Sequence, residues 1–290
     1  MHRIILVFIV IIAPLMNAMA QDDLLSQLQS DQQNETKKVE ATFKGTRIIN
    51  GHSVEVRSAR ILQFIISHRF GRVNSGASEL FGLDESSIRI GLEYGVTDNF
   101  DLGLGRSSFN KDFDFFAKYK LVSQQTGKAA FPLTITGFTS MTINSLENNN
   151  PERDLRFEHR VSYVGQVLIA RKFSDNLSIQ VTPTYIHRNL VPTEDDDNDL
   201  FSVGFGGRAK ITKRLAINAE YFYQVNTIES LNSNDAFAIG VDIETGGHVF
   251  QLSFTNARSM IETGFISETS DDFFDGDLRF GFNISRAFQF

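Results

Sequence analysis

The sequence predicts an all-β protein, an antiparallel transmembrane β-barrel of about twelve strands. Three observations carry that prediction. Apolar and polar residues alternate with a period of two along most of the chain, the joints between the alternating runs are short and long by turns, and the chain ends on an alternating run closed by an aromatic residue. A strand sends successive side chains to opposite faces, so each run has one greasy face and one polar face. In a membrane barrel the first meets acyl chains and the second encloses a lumen. A soluble β-sandwich or lipocalin-like barrel also alternates, but about twelve meandering strands of about ten residues favour the membrane.

The N-terminus carries His2-Arg3, an apolar run from Ile4 to Ala13, and Ala18-Met19-Ala20 before Gln21. This is the pattern of a cleaved secretory signal peptide, residues 1–20. The run is shorter than the ~20 residues a spanning helix needs. With no cysteine, neither disulfides nor a lipidated N-terminal cysteine is available. Residues 21–56 are polar and lack strong periodicity. They read as a periplasmic lead-in, or as a segment folded into the lumen, with a short helical turn over Asp22 to Leu28 and a small hairpin around Asn50-Gly51.

The barrel is expected over residues 57–290. Ile88, Ile90, Leu92, Tyr94 and Val96 share one parity, with Arg89, Gly91, Glu93 and Gly95 on the other; Leu215, Ile217, Ala219, Tyr221 and Tyr223 likewise oppose Asn218, Glu220 and Gln224. Such runs place strands near 58–70, 86–97, 100–109, 112–121, 132–143, 155–173, 177–190, 200–211, 215–225, 235–244, 247–256 and 277–290. Strands of ~10 residues tilted by ~40° span ~25 Å, the height of an outer membrane's apolar band. Asp98-Asn99, Ser174-Asp175-Asn176, Thr212-Lys213-Arg214 and Thr245-Gly246 make tight turns on one side. Long loops at 71–85, 144–154, 191–199, 226–234 and 257–276 face the cell exterior. Two joints depart from this rule: Asn110-Lys111 is short for its side, and Val122 to Phe131 is long for its side. The last strand puts Phe280, Phe282, Ile284, Phe288 and Phe290 on one parity, which resembles the assembly signal that the barrel assembly machinery reads in bacterial outer-membrane proteins.

Several segments resemble one family more specifically. They are Ser67-His-Arg-Phe-Gly71, Phe81-Gly-Leu-Asp84, Ile88 to Gly95, Leu168-Ile-Ala-Arg-Lys-Phe-Ser174, Ile243 to Gln251 and Phe280 to Arg286. The chain is similar, over roughly Thr42 to Phe290, to Bacteroidetes β-barrel proteins filed as a domain of unknown function (number 5777). The resemblance implies an outer-membrane barrel and brings no substrate or catalytic residues.

For function, the formal net charge of −7 argues against nucleic acid as a partner. Outer-membrane lipid and lipopolysaccharide, with one periplasmic protein as a further option, are the partners the reading supplies. The lumen-lining candidates are Arg89, Glu93, Arg156, Glu158, Arg160, Arg188, Glu220 and Arg279, all on the polar parity. A ring of arginines in a narrow throat favours anions and binds carboxylate or phosphate in a forked geometry. The alternative is that these arginines pair with nearby acids and fill the lumen with salt bridges. At the periplasmic end, Asp101, Lys118, Lys120, Lys172, Arg208, Lys210, Asp242 and Glu244 read as a mutually neutralising network. Glu194 to Asp199, with Asp271, Asp272 and Asp275, reads as a solvated acidic rim, because Leu200 and Gly206 stand where a calcium loop needs its glycine and closing glutamate. His68, His159 and His187 sit on the apolar parity at the headgroup boundary, and no metal or cofactor is expected. Passage of a small hydrophilic, in one reading anionic, solute is the leading function. A non-conducting barrel that engages periplasmic proteins is second, and a barrel-embedded hydrolase is weakest; the expectation is no enzyme.

Overall fold

The computed structural model describes residues 35–147, 155–245 and 248–290. The signal peptide and the helical turn expected at 22–28 lie outside the described residues. The chain divides into two compact units. Among the described residues the smaller takes in 35–39 together with Gln124–Pro132, and within it Lys37–Lys38 pair antiparallel with Gln125–Thr126. The larger, Glu40–Ser123 with Leu133–Phe290, is the barrel.

Among the described residues twelve strands close into that barrel. They are β1 (Ile61–Arg72), β2 (Ser86–Thr97), β3 (Phe100–Ser107), β4 (Asp112–Val122), β5 (Thr134–Asn144), β6 (Val161–Lys172), β7 (Leu177–Arg188), β8 (Asp199–Lys210), β9 (Leu215–Gln224), β10 (Ala236–Thr245), β11 (His248–Thr255) and β12 (Arg279–Gln289). Each pairs antiparallel with the next, and β12 pairs back onto β1 with Ser67 opposite Asn283. Closure leaves no unpaired edge, the condition for β-structure in hydrocarbon. No helix among the described residues is long and apolar enough to cross a membrane.

The two parities behave differently. Ile88, Ile90, Leu102, Leu104, Phe115, Val167, Phe205 and Ile239 are large, apolar and exposed, while Arg89, Glu93, Asp114, Gln166, Gln180 and Glu220 are almost completely buried. This inverts a soluble core: the outward face is hydrocarbon and the interior is polar. The arrangement is stable only where the outside solvent is itself apolar. Asn110 and Lys111, the joint too short for its side, adopt consecutive left-handed conformations (φ 53° and 50°). That is the tight hairpin turn whose twist matches the flanking strands.

Two expectations change. Strand β6 starts at Val161 and not near 155, because Phe157–Arg160 curl into a 3₁₀ turn in which the His159 N–H donates to the Arg156 carbonyl (3.1 Å). The lead-in, which the sequence allowed either in the periplasm or in the lumen, takes the lumen, since Thr42, Phe43 and every residue from Thr46 to Val54 are buried. The barrel unit therefore begins at Glu40, ahead of the expected 57.

Candidate functional site

The lumen is the site, and two pieces of chain occupy it. The first is a hairpin closed at Ile48-Ile49-Asn50-Gly51. The Ile48 N–H donates to the Gly51 carbonyl (2.8 Å), and the Ser53 N–H donates to the Thr46 carbonyl (2.9 Å). The turn uses no left-handed backbone, and glycine at 51 answers a close approach instead, since a Cβ there would lie 2.7 Å from the Phe222 ring. A lone two-stranded hairpin leaves its outer backbone groups unpaired, and buried ones must find partners. The barrel wall supplies them through side chains. Glu220 accepts from three successive backbone N–H groups, those of Ile49 (3.2 Å), Asn50 (2.7 Å) and Gly51 (3.1 Å). Gln180 accepts from the Val54 N–H (2.9 Å) and donates to the His52 carbonyl (2.8 Å). Thr136 donates to the Val54 carbonyl, Gln251 to that of Ile48 and Asn283 to that of Ile49, each at 2.9 Å. Arg69 donates to the Asn50 side chain at 2.8 Å. Gly206 faces Ile48 so closely that a Cβ there would lie 2.3 Å from the Ile48 methyl, so this wall glycine makes room for the insert.

The second piece comes from the long β11–β12 loop. Its helix α1 (Glu262–Ser267) is buried along its whole length. Phe265 packs edge-to-face on Phe222 of β9 (ring centroids 5.0 Å apart), and Ala257, Phe265 and Ile266 join a core that includes Leu168, Ile186 and Leu200. Phe43, Ile48 and Val54 of the hairpin complete that core, so one sector of the lumen is apolar.

The two pieces meet at Glu262. Its carboxylate lies 3.3 Å from the Arg47 guanidinium and 3.6 Å from the His52 ring. His52 also lies against Phe116 and Phe138 (centroids 4.7 and 4.4 Å). Burial, with the charges of Arg47 and Lys118 beside it, holds the His52 pKa well below its ordinary value, so the ring is neutral at pH 7. Burial pushes the Glu262 carboxyl up, against the pull of Arg47.

The predicted lumenal residues separate into groups. Arg89 is buried in the wall and paired with Asp114, its Nε donating at 2.9 Å. Glu93 is buried on the same strand, and its carboxylate oxygens have no hydrogen-bond partner. Glu220 holds the hairpin, and Arg279 pairs with Asp271 at 2.8 Å. Arg188 binds the plug loop through the Thr263 carbonyl (3.0 Å) and Glu268. Arg156, Glu158 and Arg160 do not line the lumen. The 3₁₀ turn carries them out of the wall, Arg156 and Glu158 pair with each other at 3.4 Å in solvent, and Arg160 donates to the Asn144 carbonyl at 3.2 Å. The arginines are thus partners of acids and carbonyls and form no open ring.

Asp271, expected on a solvated rim, is buried between Arg72 and Arg279. At the periplasmic end Arg208 bridges Glu244 (2.8 Å) and Asp242 (3.7 Å). Lys118, fully buried, donates to the Thr46 and Glu55 carbonyls of the insert, and Asp101 accepts from the Arg57 N–H. His187 lies opposite Tyr163 and pairs with Asp199 (2.6 Å) on the outer face. His68 stacks on Phe282, and His159 sits in the 3₁₀ turn. The wall residues that grip the insert, Thr136, Gln180, Gln251 and Asn283, are missing from the sequence-based set. The signal was present: amides and hydroxyls recur on the lumenal parity beside a lead-in that carries a turn motif.

Residues 43–288 match the family model described as a membrane-bound β-barrel domain, domain of unknown function 5777. The chain belongs to that family. No curated protein matches the sequence. Among solved structures the family member is similar to the KdgM porin at 9% identity, with 79% of this chain and 99% of that one covered and a TM-score of 0.49. It is also similar to an outer-membrane channel from Pseudomonas putida F1 (13% identity, 80% and 97% covered, TM-score 0.46). A third similar structure is the translocator domain of the autotransporter NalP from Neisseria meningitidis (12% identity, 81% and 90% covered, TM-score 0.41).

Proposed function

We propose that this barrel resides in the bacterial outer membrane, reached by export through its N-terminal signal, and works as a gated passage for small hydrophilic solutes with residues 42–54 as the stopper. One observation supports this above the others: the wall grips the insert mainly through side-chain hydrogen bonds to its backbone. Those donors and acceptors can be exchanged for water at a net cost of only about 0.5–1.5 kcal/mol for a typical bond. Removal of the insert would leave a lumen sector lined by Thr136, Gln180, Glu220, Gln251 and Asn283, a hydrated polar wall. Outward-facing Phe280, Phe282, Ile284, Phe288 and Phe290 on or beside the closing strand are read as the signal for the assembly machinery. The exposed acidic loop before β8 is read as the side that meets lipopolysaccharide.

The absence of cysteine makes the test clean. Asn50 and Thr255 touch through their side chains (3.4 Å), so Asn50→Cys with Thr255→Cys fastens stopper to wall. In planar bilayers, deletion of residues 42–54 is expected to conduct steadily, and the oxidised double variant to be silent until reduced. A folded deletion variant that stays silent overturns the reading. It would favour the second reading, a non-conducting barrel that engages periplasmic proteins, which the apolar packing of Phe43, Ile48 and Val54 supports.

A further inference from the structure

The arginines of the barrel interior share a habit. Arg47 meets Glu262, Arg89 meets Asp114, Arg188 meets Glu268, Arg208 meets Glu244, Arg279 meets Asp271, and Arg69 donates to Asn50 and Asn283. Arg57 breaks it. The carboxylate beside it, Asp101, accepts the Arg57 backbone N–H at 2.9 and 2.8 Å, and the buried Nε of the guanidinium, like those of Arg47, Arg69, Arg188 and Arg208, has no hydrogen-bond partner among the described residues.

Arg57 lines a cavity of about 420 Å³ at the periplasmic mouth, between the stem of the insert and the wall of β10–β12 and β1. Lys44, Gln63, Arg214, His248 and Ser285 also line it. Glu244 is the one carboxylate in the lining, and both its oxygens are engaged, by Lys44 (3.0 Å) and by Arg208 (2.8 Å). Of the three cations in the lining, Lys44 is thus answered by Glu244, which leaves Arg57 and Arg214 with no free carboxylate in the lining among the described residues. The two smaller extracellular cavities, each about 270 Å³, are unlike it. Their Arg72, Arg258 and Arg279 face Glu79, Glu85, Glu268 and Asp271, so their charge is answered within the protein.

We propose that the periplasmic mouth is a binding site for a small oxyanion, a molecule carrying a phosphate or carboxylate group. The Arg57 and Arg214 guanidinium forks supply the charge-assisted hydrogen bonds that planar oxyanions accept. The Ser285 hydroxyl and the Gln63 amide, whose carbonyl oxygen is buried without a partner, serve neighbouring polar groups of the ligand. The volume lies at the lower end of small-molecule pockets, which run from ~300 Å³, so the ligand is small. The site adjoins Lys44 and Gly45 of the insert stem, so any ligand that prefers the docked stem also stabilises it, by reciprocity of coupled equilibria. Binding is read on the closed barrel and does not rest on passage through it.

Calorimetric titration of the purified full chain in detergent at low salt tests the site, with inorganic phosphate in one arm and citrate in the other. The expected result is saturable one-site binding of at least one anion, the tighter arm naming the group. Arg57→Gln with Arg214→Gln is expected to weaken it by roughly tenfold or more. Lys213→Gln, which removes a charge from the same turn outside the cavity, is expected to leave it unchanged. Arg57→Lys, which keeps the charge and loses the fork, is expected to fall between and serves if the double variant does not fold. The proposal is overturned if neither anion saturates the folded wild type, or if Lys213→Gln weakens binding as much as the cavity variants.

Discussion

The two pieces of chain inside the barrel share one apolar core and differ in their polar holds. The N-terminal hairpin offers backbone groups that wall side chains satisfy one by one, with Glu220 alone taking three N–H donors. The β11–β12 loop offers side chains: Phe265 and Ile266 enter the apolar core, and the rim is fastened by Arg72 and Arg279 to Asp271 and by Arg188 to Glu268. The loop is also covalently anchored to strands at both ends. Both would expose apolar area on leaving, the hairpin through Phe43, Ile48 and Val54, but the hairpin's polar holds are on backbone groups that can trade their partners for water. On the proposed gating, the hairpin is the movable part and the loop a fixed lid.

The largest expected effect follows from Glu220. Replacement by Ala leaves three buried N–H groups without an acceptor, at a cost of about 1–3 kcal/mol each. With Ile49→Cys as a reporter in the cysteine-free chain, Glu220→Ala is expected to speed maleimide labelling from the periplasmic side by orders of magnitude; unchanged labelling would show that Glu220 does not hold the hairpin. Phe265→Ala should do the reverse. Truncation of a buried aromatic costs about 3–5 kcal/mol, so the melting temperature should fall while the reporter stays protected. If the reporter becomes exposed as well, the lid and the stopper are one cooperative unit and the comparison fails.

The contact between the two parts should respond to pH, and the signs oppose. The His52 pKa is depressed in the docked state, so the released state takes up the proton first and acid below about 6.5 favours release. The Glu262 pKa is raised in the docked state, so the docked state takes up its proton first and acid favours docking, from the raised value down to the ordinary carboxylate range. The two slopes oppose each other in the wild type. Glu262→Gln isolates His52, and the ratio of docked to released hairpin should then fall by up to about tenfold per pH unit below about 6.5. Labelling rates across pH check this, and adding His52→Asn should flatten the profile.

The smallest effect belongs to the exterior. Hydrogen bonds from Ser230 and Thr193 draw the Asp196 carboxyl down to about 2, so its hold on the loop is constant at neutral pH and is lost only as pH falls through that value. Asp196→Ala should raise amide exchange at Thr193 and Ser230 and leave barrel melting unchanged.

The wall was legible in the sequence because its cause is local. A period of two, turns of Asp98-Asn99 type and the aromatic terminus each depend on neighbouring residues, so eleven strands fall close to their expected places and β6 errs only where Phe157–Arg160 curl. A hairpin near Asn50-Gly51 was also legible, although its turn uses no left-handed backbone. Its location was not, because nothing local distinguishes a hairpin in the periplasm from one gripped by Gln180, Glu220, Gln251 and Asn283, residues more than a hundred positions away. Parity likewise placed Arg89 and Arg279 inward but not their partners: Asp114 reaches Arg89 across β3, and Asp271 folds back from the loop just before β12 to meet Arg279. Side-chain direction is set by the backbone period. Charge pairing and lumen filling are set by which distant segments the closed barrel forces into one small, dry space.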